Sequence, residues 1–99
     1  MYDGQIDPPA FYRLQTIASE AAEYYFDYGA ADALLGAFEK QFDKAITNPK
    51  RCKHFDEEAR MFDFSYRGFN YYAVFIITGR KIYITDIFSK RQNVERRRK

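Results

Sequence analysis

Partway along the chain the spacing of apolar residues changes period, and no other feature limits the possible folds as much. Up to about residue 48 the apolar side chains recur every three or four positions, as on one face of a helix; beyond about residue 60 they alternate with polar ones, as on a strand. A chain that is helical first and extended afterwards points to an α+β fold with the two kinds of element in separate layers.

Asp7, Pro8 and Pro9 mark the first helix start, with a carboxylate at the cap and prolines whose missing N–H groups are not needed in the first turn. Phe11, Leu14, Ala18, Ala21, Tyr25 and Tyr28 then form an apolar stripe, with Arg13, Glu20, Glu23 and Asp27 largely off it. Gly29 is expected to end this helix. A second stripe, Leu34, Leu35, Phe38, Phe42, Ala45 and Ile46, lies opposite Asp32, Glu39, Lys40 and Asp43, until Asn48 and Pro49 stop it. So short a link around Gly29 lays the two helices antiparallel, as a hairpin.

Phe62, Phe64 and Tyr66 alternate with Asp63, Ser65 and Arg67, which predicts a strand with one buried face; Gly68, Phe69 and Asn70 supply a turn. The run YYAVFII is apolar on both faces and so reads as a central strand. Gly79 gives the next hairpin its positive φ before KIYITDIF. Tyr2 to Ile6 reads as a weak edge strand, because Gly4 and the nearby Pro8 oppose it. The expected architecture is a two-layer α+β fold, an antiparallel helical hairpin on a three- to four-stranded, mainly antiparallel sheet. Leu14 and Phe38 should point toward Val74 and Ile84. Residues 1–95 form the single domain and residues 96–99 a basic tail.

The aromatic content of 19% lets so small a core reach useful stability. Cys52 has no partner for an internal disulfide, and the N-terminus lacks the basic-then-apolar pattern of a secretion signal, so the expected compartment is the cytoplasm. No apolar run approaches the roughly 20 residues of a membrane span.

The net charge of +2 conceals a split: residues 1–47 carry three Lys/Arg against eight Asp/Glu, and residues 48–99 carry thirteen against six. A basic half of this kind suits an anionic partner, nucleic acid or an acidic protein, or else a plain solvated surface. Signatures of phosphate-binding loops, dinucleotide folds, zinc proteases and serine hydrolases are absent. Cys52 with His54 reads as a loop thiol and a surface imidazole or as half a metal site; Asp56, Glu57 and Glu58 read as a solvated turn or as magnesium ligands.

The fuller constellation is basic: Arg67, Arg80, Lys81, Lys90, Arg91, Arg96, Arg97 and Arg98, interleaved with Tyr66, Tyr71, Tyr72 and Tyr83. Guanidinium groups grip phosphates and tyrosine faces stack on unpaired bases, although strand aromatics also serve as core, so at most two of those tyrosines are expected to reach a ligand.

The order of elements, with Ala10, Leu14 and Ile17 opening the first helix, ITNPKR closing the second, YYAVF in the central strand and KIYITDIFSKRQN at the last, resembles the RelE/ParE superfamily of toxins. The IFSKRQN segment is also similar to that of HigB-type members, and the resemblance covers nearly the whole chain. It implies a toxin of a type II toxin–antitoxin module. Such a toxin is silenced by a cognate antitoxin and acts by ribosome-dependent mRNA cleavage or by poisoning DNA gyrase, with no cofactor. On the cleavage reading, Arg91 and Lys90 match the basic positions after the last strand, with Arg67 and Tyr72 as further catalytic candidates, and Arg80, Lys81, Arg96, Arg97 and Arg98 as RNA contacts. Three positions depart from that pattern: Tyr72 replaces the central-strand arginine, Ser89 replaces a histidine carried by some members, and ERRRK has no Tyr or His beyond Arg91. These departures favour a gyrase-binding toxin that does no chemistry. The alternatives from other classes are a non-catalytic nucleic-acid-binding module and a domain that binds peptides by strand addition.

Overall fold

The computed structural model describes residues 2–90. In chain order these form β1 (Asp3–Ile6), α1 (Pro8–Tyr25), α2 (Tyr28–Thr47), a 3-10 turn (Pro49–Arg51), β2 (Lys53–His54), β3 (Ala59–Tyr66), β4 (Phe69–Thr78) and β5 (Lys81–Ser89). One mixed sheet runs in the order β1-β5-β4-β3-β2; β1 is parallel to β5 and the other pairs are antiparallel. The sheet thus has five strands where three or four were expected, because the two-residue β2 is too short to leave an alternating pattern in the sequence.

The helix starts and stops differ in detail from the expectation. Asp7 sits at the N-cap of α1, but its carboxylate makes no capping hydrogen bond; Pro8 and Pro9 have already removed the N–H groups of the first two helical positions. At the other end α1 stops at Tyr25, four residues before Gly29. Phe26 adopts the left-handed conformation at φ 52°, and Asp27 then caps α2 by accepting a 2.8 Å hydrogen bond from the Gly29 N–H. A capping carboxylate thus starts the second helix before the glycine is reached. The stripe of α1 also consists of smaller residues than expected. Ala10, Leu14, Ile17, Ala18 and Ala21 are buried, whereas Phe11 and Tyr28 are exposed.

The helical hairpin covers one sheet face. Leu14, Ile17, Leu34 and Phe38 meet Phe62, Phe64, Ala73, Phe75, Ile82, Ile84 and Ile87 in one core. Leu14 and Phe38 therefore join Ile84 as expected, but Val74 lies on the opposite face with Ala59, Tyr72 and Phe88. Period-2 alternation gives Ala73 and Phe75 the helix-facing positions of β4, and a strand apolar on both faces does not reveal which set points where. A bulge adds a second phase change: Val74 pairs with Asp86 and Phe75 with Ile84, leaving Thr85 as the extra residue. Ile82, Ile84 and Ile87 all reach the helical layer because of it.

Both long hairpins turn in two residues. Thr78 pairs with Lys81 around Gly79 (φ 62°) and Arg80, as expected. Tyr66 pairs with Phe69, so the preceding loop is Arg67–Gly68 rather than Gly68 to Asn70, with both residues at positive φ. Arg67 consequently sits on the turn and not in the strand. Arg91, Arg96, Arg97 and Arg98 lie outside the described residues, as does the tail 96–99.

Candidate functional site

At the end of the sheet formed by this turn and the last residues of β5, a cleft of about 650 Å³ opens beside the C-terminal turn of α1. Its walls include Tyr24, Tyr25, Arg67, Phe69, Tyr71 and Lys90. Arg67 is held there from two sides. The Tyr25 hydroxyl donates to the Arg67 carbonyl at 2.8 Å, and the guanidinium lies 5.3 Å from the Tyr25 ring centre and 5.4 Å from that of Tyr66. Two ring faces thus hold a cation at the mouth of the cleft. Burial pushes the Tyr71 hydroxyl up from its ordinary value, and the charge of Glu20 adds to the rise.

On the sheet face away from the helices, Tyr72 is 1% exposed, its ring tilted against Phe88, and the ring of Phe55 lies over both at centroid distances of 6.0 Å. Beside this stack one oxygen of Asp63 serves two lysines, Lys90 at 3.2 Å and Lys53 at 3.9 Å, while its other oxygen is buried without a hydrogen-bond partner. Exposed ion pairs contribute about 0–1 kcal/mol, and a buried unsatisfied acceptor costs about 1–3 kcal/mol. Asp63 therefore adds little or nothing to stability.

The predicted site residues fall into separate groups. Arg67 and Lys90 share the cleft; Tyr72 is enclosed in the aromatic stack beside it. Arg80 and Lys81 occupy the other end of the sheet, since a strand rising about 3.3 Å per residue puts Lys81 and Lys90 roughly 30 Å apart. Of the four tyrosines, Tyr71 and Tyr72 are buried and Tyr66 and Tyr83 half-buried. Asp56 closes a turn by accepting from the Glu58 and Ala59 N–H groups at 2.8 and 2.7 Å. Cys52 and His54 lie near the far edge of the sheet. Burial pushes the Cys52 thiol up, against a smaller downward pull from the Arg60 guanidinium, which itself donates to the carbonyls of Lys50 and Cys52. Among the described residues no group of three or more His, Cys, Asp or Glu could hold a metal ion, and no helix is long and apolar enough to cross a membrane.

The sequence reading missed Lys53, Phe55, Asp63, Tyr24 and Tyr25. Asp63 was visible only as a polar alternate in a strand, and nothing local indicated that Lys53 and Lys90 would converge on it across the sheet.

No protein-family model matches the chain, and no curated protein matches it. Among solved structures it is similar to a chain described as the chromosomal ParDE TA system from P. aeruginosa, with a TM-score of 0.70 and 16% identity over 90% of this chain and 96% of that one. The helical hairpin on a mixed sheet is thus a ParE-like fold, the architecture that the sequence resemblance implied.

Proposed function

We propose that this chain is the toxin of a type II toxin–antitoxin module, neutralised by a cognate antitoxin, and that it arrests growth by holding DNA gyrase rather than by cutting RNA. The observation that carries this reading is the make-up of the cleft within a ParE-like fold. Aromatic rings and the Arg67 guanidinium line it together with Lys90, whose ammonium is paired with Asp63, and among the described residues of its wall none is His, Asp, Glu or Cys. General acid–base catalysis works best with a group whose pKa lies near the working pH. The Tyr71 hydroxyl is displaced away from that range, which favours binding over phosphodiester chemistry. The split between an acidic helical half and a basic sheet half suits an antitoxin segment of opposite charge laid on the basic side.

The test is induction of the chain in bacteria, followed by a gyrase supercoiling assay and primer extension on mRNA. Growth arrest, loss of supercoiling and intact mRNA are expected, with growth restored by co-expression of the cognate antitoxin. Normal growth with soluble protein present would overturn the toxin reading. Cuts inside codons that vanish on Arg91→Ala would replace gyrase binding with ribosome-dependent cleavage.

Arg67→Gly separates site from scaffold. Glycine relieves about 1–2 kcal/mol of left-handed strain at φ 46° and forfeits two ring contacts of about 0.5–1 kcal/mol each. Unfolding free energy should change by less than about 1 kcal/mol, while growth arrest weakens. Undiminished arrest by the folded variant would remove Arg67 from the site.

A further inference from the structure

We propose that Asp63 is the specificity-determining residue of the sheet face away from the helices, excluding nucleic acid from Lys53 and Lys90 and reserving that face for an acidic protein segment. The inference rests on the toxin reading above, in which an antitoxin covers the basic side of the molecule.

The two ammonium groups share one carboxylate oxygen at 3.9 and 3.2 Å, so they stand no more than about 7 Å apart. Without Asp63 they would form a doubly charged clamp of a width suited to a phosphate group. With it the cluster carries a single net positive charge, and a phosphodiester chain meets a fixed carboxylate between its two cations. Nucleic-acid affinity scales with the number of phosphates neutralised, so this placement weakens it more than it weakens a partner that brings one carboxylate. Lys53 and Lys90 remain partly exposed, which leaves ammonium protons for such a group.

The aromatic residues favour the same partner. Single-stranded nucleic acid stacks on a succession of open ring faces, whereas here Tyr72 and Phe88 are buried beneath Phe55, the one ring of the three that stays exposed. Next to the lysines the surface is therefore an apolar shelf of Phe55, Met61 and Ile76, suited to an aliphatic side chain adjacent to an acidic one.

The experiment measures fluorescence anisotropy of a labelled oligouridylate against salt for the wild type and Asp63→Asn, whose amide has the carboxylate's shape. The variant should bind the oligonucleotide at least about tenfold more tightly at low salt. Its log–log salt slope should steepen by about 0.7–1.4, as one or two lysines become available to phosphates. Lys53→Gln added to Asp63→Asn should return part of the gain, and Asp63→Ser, checked for a cooperative melt, should reproduce it. Equal binding by wild type and both folded variants overturns the proposal, as does tight, steeply salt-dependent binding by the wild type. Growth arrest is scored separately. Arrest without any gain in Asp63→Asn sinks this inference alone, and a gain without arrest sinks the toxin reading while the exclusion of nucleic acid stands.

Discussion

Replacing Phe38 with alanine is expected to lower the unfolding free energy by about 3–5 kcal/mol, the range for truncating a buried phenylalanine. The ring is 2% exposed on α2 and has three aromatic neighbours, Phe42, Phe62 and Phe64, with centroids 5.3 to 5.7 Å away. Two of those neighbours belong to β3, which is paired along its length with β4 and cannot move into the gap without breaking its ladder. The cavity therefore stays open, and the loss sits at the upper part of what such truncations cause. A domain of this size has only about 5–15 kcal/mol to lose. Urea denaturation measures the change directly; a loss below about 1.5 kcal/mol would show that the two layers are not held together at this point.

The second large effect concerns Gly4, in the edge strand β1. A methyl group there would sit 2.6 Å from Phe42 Cζ and 2.8 Å from Ile46 Cγ2. The Phe42 ring cannot simply swing aside, because it stacks at 16° on Phe62 and also meets Phe38. Gly4→Ala should therefore destabilise by about 1–3 kcal/mol, as overpacking does, and β1 should lose amide protection before the rest of the sheet. Gly36 supplies the opposite sign within the same protein. It lies inside α2 with nothing within 4 Å of an added Cβ, so Gly36→Ala should stabilise by about 0.5–1 kcal/mol. If the two substitutions behaved alike in thermal melts, close approach of α2 to β1 would not be the reason for Gly4.

Most of the scaffold could be read from residues near one another in the chain. Leu14, Ile17, Leu34 and Phe38 recur at helical spacing, Phe62 and Phe64 at strand spacing, and Asn48–Pro49 and Gly79 mark a stop and a turn. Each of these reports a backbone preference or a single amphipathic face, which few neighbouring residues suffice to encode. The misreadings arose where two local signals competed. At the helical hairpin the Asp27 cap prevailed over Gly29, and at the β3–β4 turn, expected over Gly68 to Asn70, Arg67 adopted a positive φ beside Gly68 and moved the turn back by one residue.

The cleft and the sheet face around Asp63 were far less legible. Lys90 and Arg67 were singled out as basic residues, yet that they line one cleft with Tyr24 and Tyr25 follows from β3 and β5 flanking β4 on either side, both antiparallel to it, and so finishing at the same end of the sheet. Local pattern thus sufficed for two helices, a hairpin and an amphipathic sheet, because backbone periodicity is a short-range property. The sharing of Asp63 between Lys53 and Lys90, the roof that Phe55 forms over Tyr72, the inward turn of Ile87 after the Thr85 bulge and the outward placement of Val74 all depended on strand register. Register is set by the packing of whole faces, so it brings together residues up to 37 positions apart that carry no mark of one another in the chain.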